Sequence, residues 1–251
     1  MIKRVIDLDL STTITYKIRA CETDHLGHLK LSAIFQLMQE TAEDNAKTLK
    51  LNYEEINQNK EIWVLSRIHA KFFNIPKWEN KVKIKTWPVG VKGIFAVRDY
   101  LIKTVDMKSV GKITSSWLIV DAVNRRVKRM RNFPESSLTP LFAEIAQKVK
   151  APSEGYLVTS RKVQKSELDV NKHVNNAVYY NWITDSLDLD QYNKNMISEL
   201  SVNYSAEARL GDAIDIYHYH KGNYLYITAK NITTKRNALV AKALLSDRKA
   251  I

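Results

Sequence analysis

Cysteine is all but missing from this chain. Cys21 is the single one, so no disulfide can close within the chain and the paired cysteine spacings of zinc sites are absent. Long apolar runs are missing too. No stretch approaches the roughly 20 apolar residues that span a bilayer, and Met1-Ile-Lys-Arg-Val-Ile-Asp-Leu-Asp-Leu lacks the apolar centre of a signal peptide. A cytoplasmic protein without membrane insertion is the expectation. Glycine and proline number only 7 and 5 in 251 residues, which excludes collagen-like and low-complexity chains. Acidic residues are in deficit, 27 against 39 Lys and Arg, and the resulting +12 predicts an acidic partner: nucleic acid, an anionic membrane surface or an acidic carrier protein. Charge alone does not choose among them.

What is present is a repeat. Ser166-Glu-Leu-Asp169-Val-Asn171-Lys-His173-Val-Asn175-Asn176 gathers an acid, an amide and an imidazole just before a helix-like stretch. Glu22-Thr-Asp24-His-Leu-Gly-His28 repeats its frame, with Asp24 aligned to Asp169 and His28 to His173 at a constant offset of roughly 145 residues. The chain therefore reads as two copies of one unit, each long enough to bury a core.

In each copy an extended segment leads to the acidic His loop, then an amphipathic helix, then strands. The first helix is predicted from Ser32, as N-cap, to Leu49, with Ile34, Phe35, Leu37, Met38, Ala42, Ala46 and Leu49 at helical spacing. The second begins near Asn175 or Asn176, with Val178, Tyr179, Trp182, Ile183 and Leu187 on one face. Strands are predicted over 63–72, 81–86, 94–105 and 112–123 in the first copy, and over 200–206, 213–220, 224–231 and 239–245 in the second. A long helix lying on an antiparallel sheet is the economical unit, an α+β arrangement. The units are placed at 1–131 and 157–251. Between them, Thr139-Pro140 looks like a cap followed by proline at the first helical position, so 132–156 is predicted to be a linker with a short helix.

These residues resemble the acyl-ACP thioesterase family. The likeness rests on Asp169-Val-Asn171-Lys-His173-Val-Asn-Asn followed by Tyr179 or Tyr180 and Trp182, and on Thr86-Trp87, Arg98-Asp99-Tyr100, Trp63-Val64 with Arg67, and Pro76-Lys-Trp78. It implies a tandem double hot-dog fold, each unit a long helix wrapped by a curved antiparallel sheet. It also implies hydrolysis of fatty acyl-acyl carrier protein without a cofactor or metal. By similarity the catalytic set is Asp169, Asn171 and His173 of the loop with Glu207 from the following strand. Ala208 stands where many plant members carry cysteine, which excludes a cysteine nucleophile at that position and leaves attack by an activated water.

The chemistry fits those side chains. Imidazole has an ordinary pKa near 6.5 and suits a base at neutral pH. Asn171 can donate through its amide, and backbone N–H groups opening a helix favour developing negative charge. Whether His173 or Glu207 takes the proton is open from sequence, and Asp169 is assigned to holding the loop. Leu26 stands where Asn171 stands, so the first unit is read as the acyl-chain pocket, with Ile34, Phe35 and Met38 lining it. Arg125, Arg126, Lys128, Arg129 and Arg131 form the densest basic run and are assigned to carrier-protein docking. His25, His28 and His69 are read as structural or exposed, and Cys21 as buried or idle. Acyl-CoA thioesterase is the nearest alternative. An acyl-sensing DNA-binding regulator is the alternative of another class, disfavoured because no segment reads as a helix-turn-helix; nucleic acid is not an expected partner. A monomer or homodimer is expected.

Overall fold

The structure, a computed structural model, describes residues 9–130 and 133–248. The first long helix, α1 (Leu31–Thr48), is rich in Ala, Leu, Gln, Glu and Met, which favour helix. It ends because Lys50 turns left-handed (φ 54°), letting the Leu51 N–H return to the Ala46 carbonyl at 2.8 Å. Its N-cap is Lys30; Ser32 is buried in the first turn and is not the cap. A short helix α2 (Tyr53–Gln58) follows.

The second unit departs from the expected long helix. Its α3 (Val178–Asp185) has 8 residues against 18 in α1. It opens after Asn175, whose side-chain oxygen accepts the Ala177 N–H at 2.8 Å, and Asp188 starts a separate α4 (Leu189–Lys194) by accepting the Gln191 N–H at 2.7 Å. Leu187, expected on the apolar face of this helix, lies beyond its end, and the aspartate N-cap opens a separate helix after it.

The strands are β1 (Thr12–Lys17), β2 (Glu61–Phe72), β3 (Lys81–Lys92), β4 (Phe95–Thr104), β5 (Ser109–Asp121), β6 (Val127–Lys128), β7 (Tyr156–Lys162), β8 (Asn195–Tyr204), β9 (Ala213–Lys221), β10 (Tyr224–Asn231) and β11 (Arg236–Asp247). They form one antiparallel sheet in the order β1-β3-β4-β5-β2-β8-β11-β10-β9-β7, with β6 added to β5. The two halves of that order are the same permutation mirrored about the β2–β8 seam, where Arg67 to Lys71 pair with Asn203 to Glu199. β3 runs on through Pro88, past its predicted end at Thr86, because β1 stops pairing at Thr86 and leaves Pro88, opposite Arg98, on an edge that needs no N–H from it, while the register shift before Gly90 makes Val89 the bulged residue.

The helices share one core. Phe35 of α1 stacks on Tyr180 of α3 with ring centroids 3.6 Å apart and planes within 3°, and a single apolar cluster runs through both units. No helix among the described residues is long and apolar enough to cross a membrane.

The expected linker helix does not form. Residues 133–155 run as irregular chain. The sheet's side chains take up its backbone groups: Asp99 accepts the Leu141 N–H at 2.7 Å, Arg67 donates to the Ala146 carbonyl at 3.3 Å and Asn203 to the Val149 carbonyl at 2.7 Å. Ala146 and Val149 are buried by this strap, so the apolar spacing that suggested a helix is satisfied by extended chain laid on the sheet.

Candidate active site

The catalytic-type loop is anchored before it begins. Glu167 is buried; its carboxylate accepts the Gln164 N–H at 2.7 Å and the Trp182 indole N–H at 2.9 Å, and it pairs with Arg161. Asp169 then spends one oxygen on the loop itself, accepting the N–H groups of Asn171 at 2.8 Å and His173 at 3.4 Å. Its own N–H reaches the His173 carbonyl at 2.8 Å. Lys172, left-handed at φ 63°, completes the tight turn.

His173 is placed by pairing with the segment after β8. It bridges Arg209, and the Val174 N–H donates to the Ala208 carbonyl at 2.9 Å. That register brings Glu207, just past the end of β8 and not within a strand, to the imidazole: His173 Nε2 to Glu207 Oε2 is 3.1 Å. Ala208 is fully buried in the core, so a side chain at that position points away from this pair.

Asn171 is exposed, and among the described residues its side-chain amide makes no hydrogen bond. It lines a groove of about 760 Å³ together with Asp169, Asn175 and Asn176. The opposite wall belongs to the first unit: Gln39, Ala42, Glu43 and Ala46 of α1, with Trp63, Trp117 and Arg98 from the sheet. The groove therefore opens between the units. Ile34, Phe35 and Met38, expected to line it, are 1–3% exposed and belong to the closed core. They face the shared core because that side of α1 must be buried, leaving the adjoining side to shape the groove. Arg98, buried, donates to Asn45 Oδ1 at 2.5 Å and Thr86 Oγ1 at 3.3 Å.

The basic run is only partly free. Arg125 donates through one guanidinium nitrogen to both Glu207 oxygens, each at 2.8 Å, so it belongs to this site rather than to an open docking face. Lys128 pairs with Glu61 at 2.8 Å. Arg126 and Arg129 are exposed, and Arg131 lies outside the described residues. The Arg125 contact was invisible in sequence because it joins residues far apart in the chain. Missed as well was the matching partner of the first loop: Ile75-Pro76-Lys77 pairs with it as Glu207-Ala208-Arg209 pairs with the second.

That first loop keeps the frame with different side chains around it. Asp24 accepts the Leu26 and His28 N–H groups at 2.9 and 2.8 Å, His28 bridges Lys77, and the Leu29 N–H donates to the Pro76 carbonyl at 2.9 Å. Ile75 thus occupies the place of Glu207. Asp24's other oxygen accepts the Tyr192 hydroxyl at 2.8 Å, leaving a cavity of about 30 Å³, room for about one water. Burial pushes the His28 imidazole below its ordinary pKa, and its Nδ1 is buried without a partner. His25 is hydrogen-bonded to Asn193, His69 to Ser201, and Cys21 is exposed. No group of three or more His, Cys, Asp or Glu among the described residues is arranged to hold a metal.

Sequence models of the acyl-ACP thioesterase N-terminal and C-terminal domains match residues 9–133 and 150–246. The chain is 23% identical over 230 residues to oleoyl-acyl carrier protein thioesterase 1, chloroplastic, of Arabidopsis thaliana, covering 82% of this chain and 63% of that protein. It is 24% identical over 220 residues to a chloroplastic dodecanoyl-[acyl-carrier-protein] hydrolase of Cinnamomum camphora, covering 80% and 57%. It thus spans less than two thirds of the length of either relative. The fold is similar to an acyl-ACP thioesterase from Bacteroides thetaiotaomicron (TM-score 0.86, 18% identity, 94% of this chain and 98% of that one). It is also similar to the 12:0-ACP thioesterase from Umbellularia californica (0.81, 19%, 95% and 98%). With both domain models matched in order along a tandem hot-dog, the chain belongs to the acyl-ACP thioesterase family.

Proposed function

We propose that this protein hydrolyses fatty acyl-acyl carrier protein to a free fatty acid and holo-carrier protein through an activated water. The observation that carries this reading is the 3.1 Å approach of His173 Nε2 to Glu207 Oε2, on the same loop as Asn171, whose unengaged amide lines the groove. Glu207 and His173 position a water and take its proton as its oxygen attacks the thioester carbonyl carbon. Asn171 donates to the oxyanion; such a donor is worth roughly 3 to 4 kcal/mol in the transition state. The C–S bond then breaks and the proton returns to the departing sulfur. Asp169 acts through the loop, since its carboxylate is engaged with backbone N–H groups.

The inter-unit groove takes the acyl chain. Each buried methylene contributes about 0.8 kcal/mol, so a few carbons dominate binding. The acidic carrier docks on the exposed Arg126 and Arg129. Replacing both with alanine lowers kcat/KM on carrier-bound ester about tenfold at low salt, and the gap closes as salt rises. A single exposed cysteine suits the reducing cytoplasm.

The deciding experiment measures fatty acid released from a ladder of acyl-carrier esters and from coenzyme A esters of the same lengths. Carrier preference supports the reading. A preference for coenzyme A esters reassigns the substrate, and no release from either sinks it.

A further inference from the structure

We infer that Arg125 is a positioning residue: a guanidinium supplied by the N-terminal unit that fixes the Glu207 carboxylate against His173 of the C-terminal unit. The inference rests on the hydrolytic reading above and adds a residue to it from the opposite half of the chain.

Glu207 needs such a partner. It lies beyond the end of β8 and its side chain is 39% exposed, so nothing in the ladder restrains its rotamer. Arg125 meets both carboxylate oxygens at 2.8 Å, whereas Arg209, the nearer cation in sequence, stays at 3.6 Å. One oxygen held by Arg125 is the same Oε2 that faces His173 Nε2. The three groups form a chain from guanidinium to carboxylate to imidazole.

Arg125 itself is held. It sits in the turn after β5, left-handed at φ 59°, where glycine or asparagine would relax the backbone. The turn closes through Arg125 N–H to the Asp121 carbonyl at 3.0 Å and Asp121 N–H to the Arg126 carbonyl at 2.9 Å. Asp121 Oδ1 accepts the Val123 and Asn124 N–H groups at 2.9 and 3.0 Å, and Asn124 Oδ1 accepts the Arg126 N–H at 2.9 Å. The guanidinium is thus presented from a tied turn.

An ion pair this exposed adds little to stability, so its value is geometric. Arg125→Met therefore lowers kcat about 10- to 100-fold on carrier-bound ester and equally on acyl-pantetheine, which lacks the carrier. KM and the melting temperature stay close to wild type, and Arg125→Lys restores part of the rate. The imidazole nitrogen resonances of His173 shift in Arg125→Met and in Glu207→Gln, and return toward wild type in Arg125→Lys. An unchanged kcat, a loss confined to KM on carrier-bound ester, or unmoved His173 resonances overturns the inference. A wild-type protein that releases no fatty acid from any thioester defeats the hydrolytic reading instead, and the His173 resonances still decide the Arg125 link.

Discussion

The two acidic His loops share a backbone and differ in what surrounds it. Asp24 and Asp169 each gather two loop N–H groups, and His28 and His173 each bridge a basic residue on the facing segment. Around that frame the second loop has Asn171 and Glu207, and a groove of about 760 Å³. The first has Leu26, Ile75 and Tyr192, and a cavity of about 30 Å³. The comparison teaches that Asp and His at this spacing make the loop, while the neighbours decide whether it does chemistry.

The sharpest way to break the comparison is to remove both imidazoles separately. His173→Ala or Glu207→Gln lowers kcat about a thousandfold, roughly 4 kcal/mol, with the fold retained; His28→Ala leaves kcat within about twofold. Equal losses from His28→Ala and His173→Ala, measured on one acyl-carrier ester, would mean that the first loop is also a working site.

The cores of the two halves differ as well. The first half buries Arg98, whose guanidinium is pushed below its ordinary pKa by burial; the second buries His218, 3% exposed and 2.8 Å from Ser186 Oγ. Burial, with His220 adding a smaller effect, pushes the His218 imidazole down to about 4, against an ordinary value near 6.5. Between those values the unfolded chain binds more protons than the folded one. Stability is therefore full above about pH 6.5 and falls as pH drops toward 4, by about 3 kcal/mol in all. Urea unfolding at pH 7 and pH 4.5 should show this loss in wild type and much less of it in His218→Asn; an identical acid loss in the variant removes His218 as its source.

The smallest expected effect separates the two aspartates. Asp24→Ala loses the cross-unit Tyr192 bond and two loop bonds, costing about 2 kcal/mol of stability with kcat per folded molecule unchanged. Asp169→Ala costs less stability, about 1 kcal/mol, and lowers kcat, because Asn171 and His173 lose their anchor. If Asp24→Ala reduced kcat as much as Asp169→Ala did, the distinction between the loops would collapse.

Most of the fold was legible because it is written in local periods. Alternation marked the strands, and the 3.6-residue stripe marked α1. The linker was misread because Leu141, Ile145 and Val149 carry a helical spacing that extended chain satisfied equally well once Asp99, Arg67 and Asn203 took its backbone groups. The loop residues Asp169, Asn171 and His173 were legible as a motif. The face of α1 that lines the groove was not, since Ile34, Phe35 and Met38 face the core and helical spacing alone does not say which flank of a stripe borders a cavity.

Sequence by itself determined the duplication, the absence of an intrachain disulfide, the loop motif and the sulfur-free residue at Ala208, because each is a property of neighbouring residues or of residue identity. Tertiary structure alone decided that Glu207 meets His173, that Arg125 crosses from the other unit to hold it, and that Ile75 and Tyr192 close the first copy. Those contacts join segments brought together by strand register and by the β2–β8 seam, and no local pattern encodes the distance between side chains so far apart along the chain.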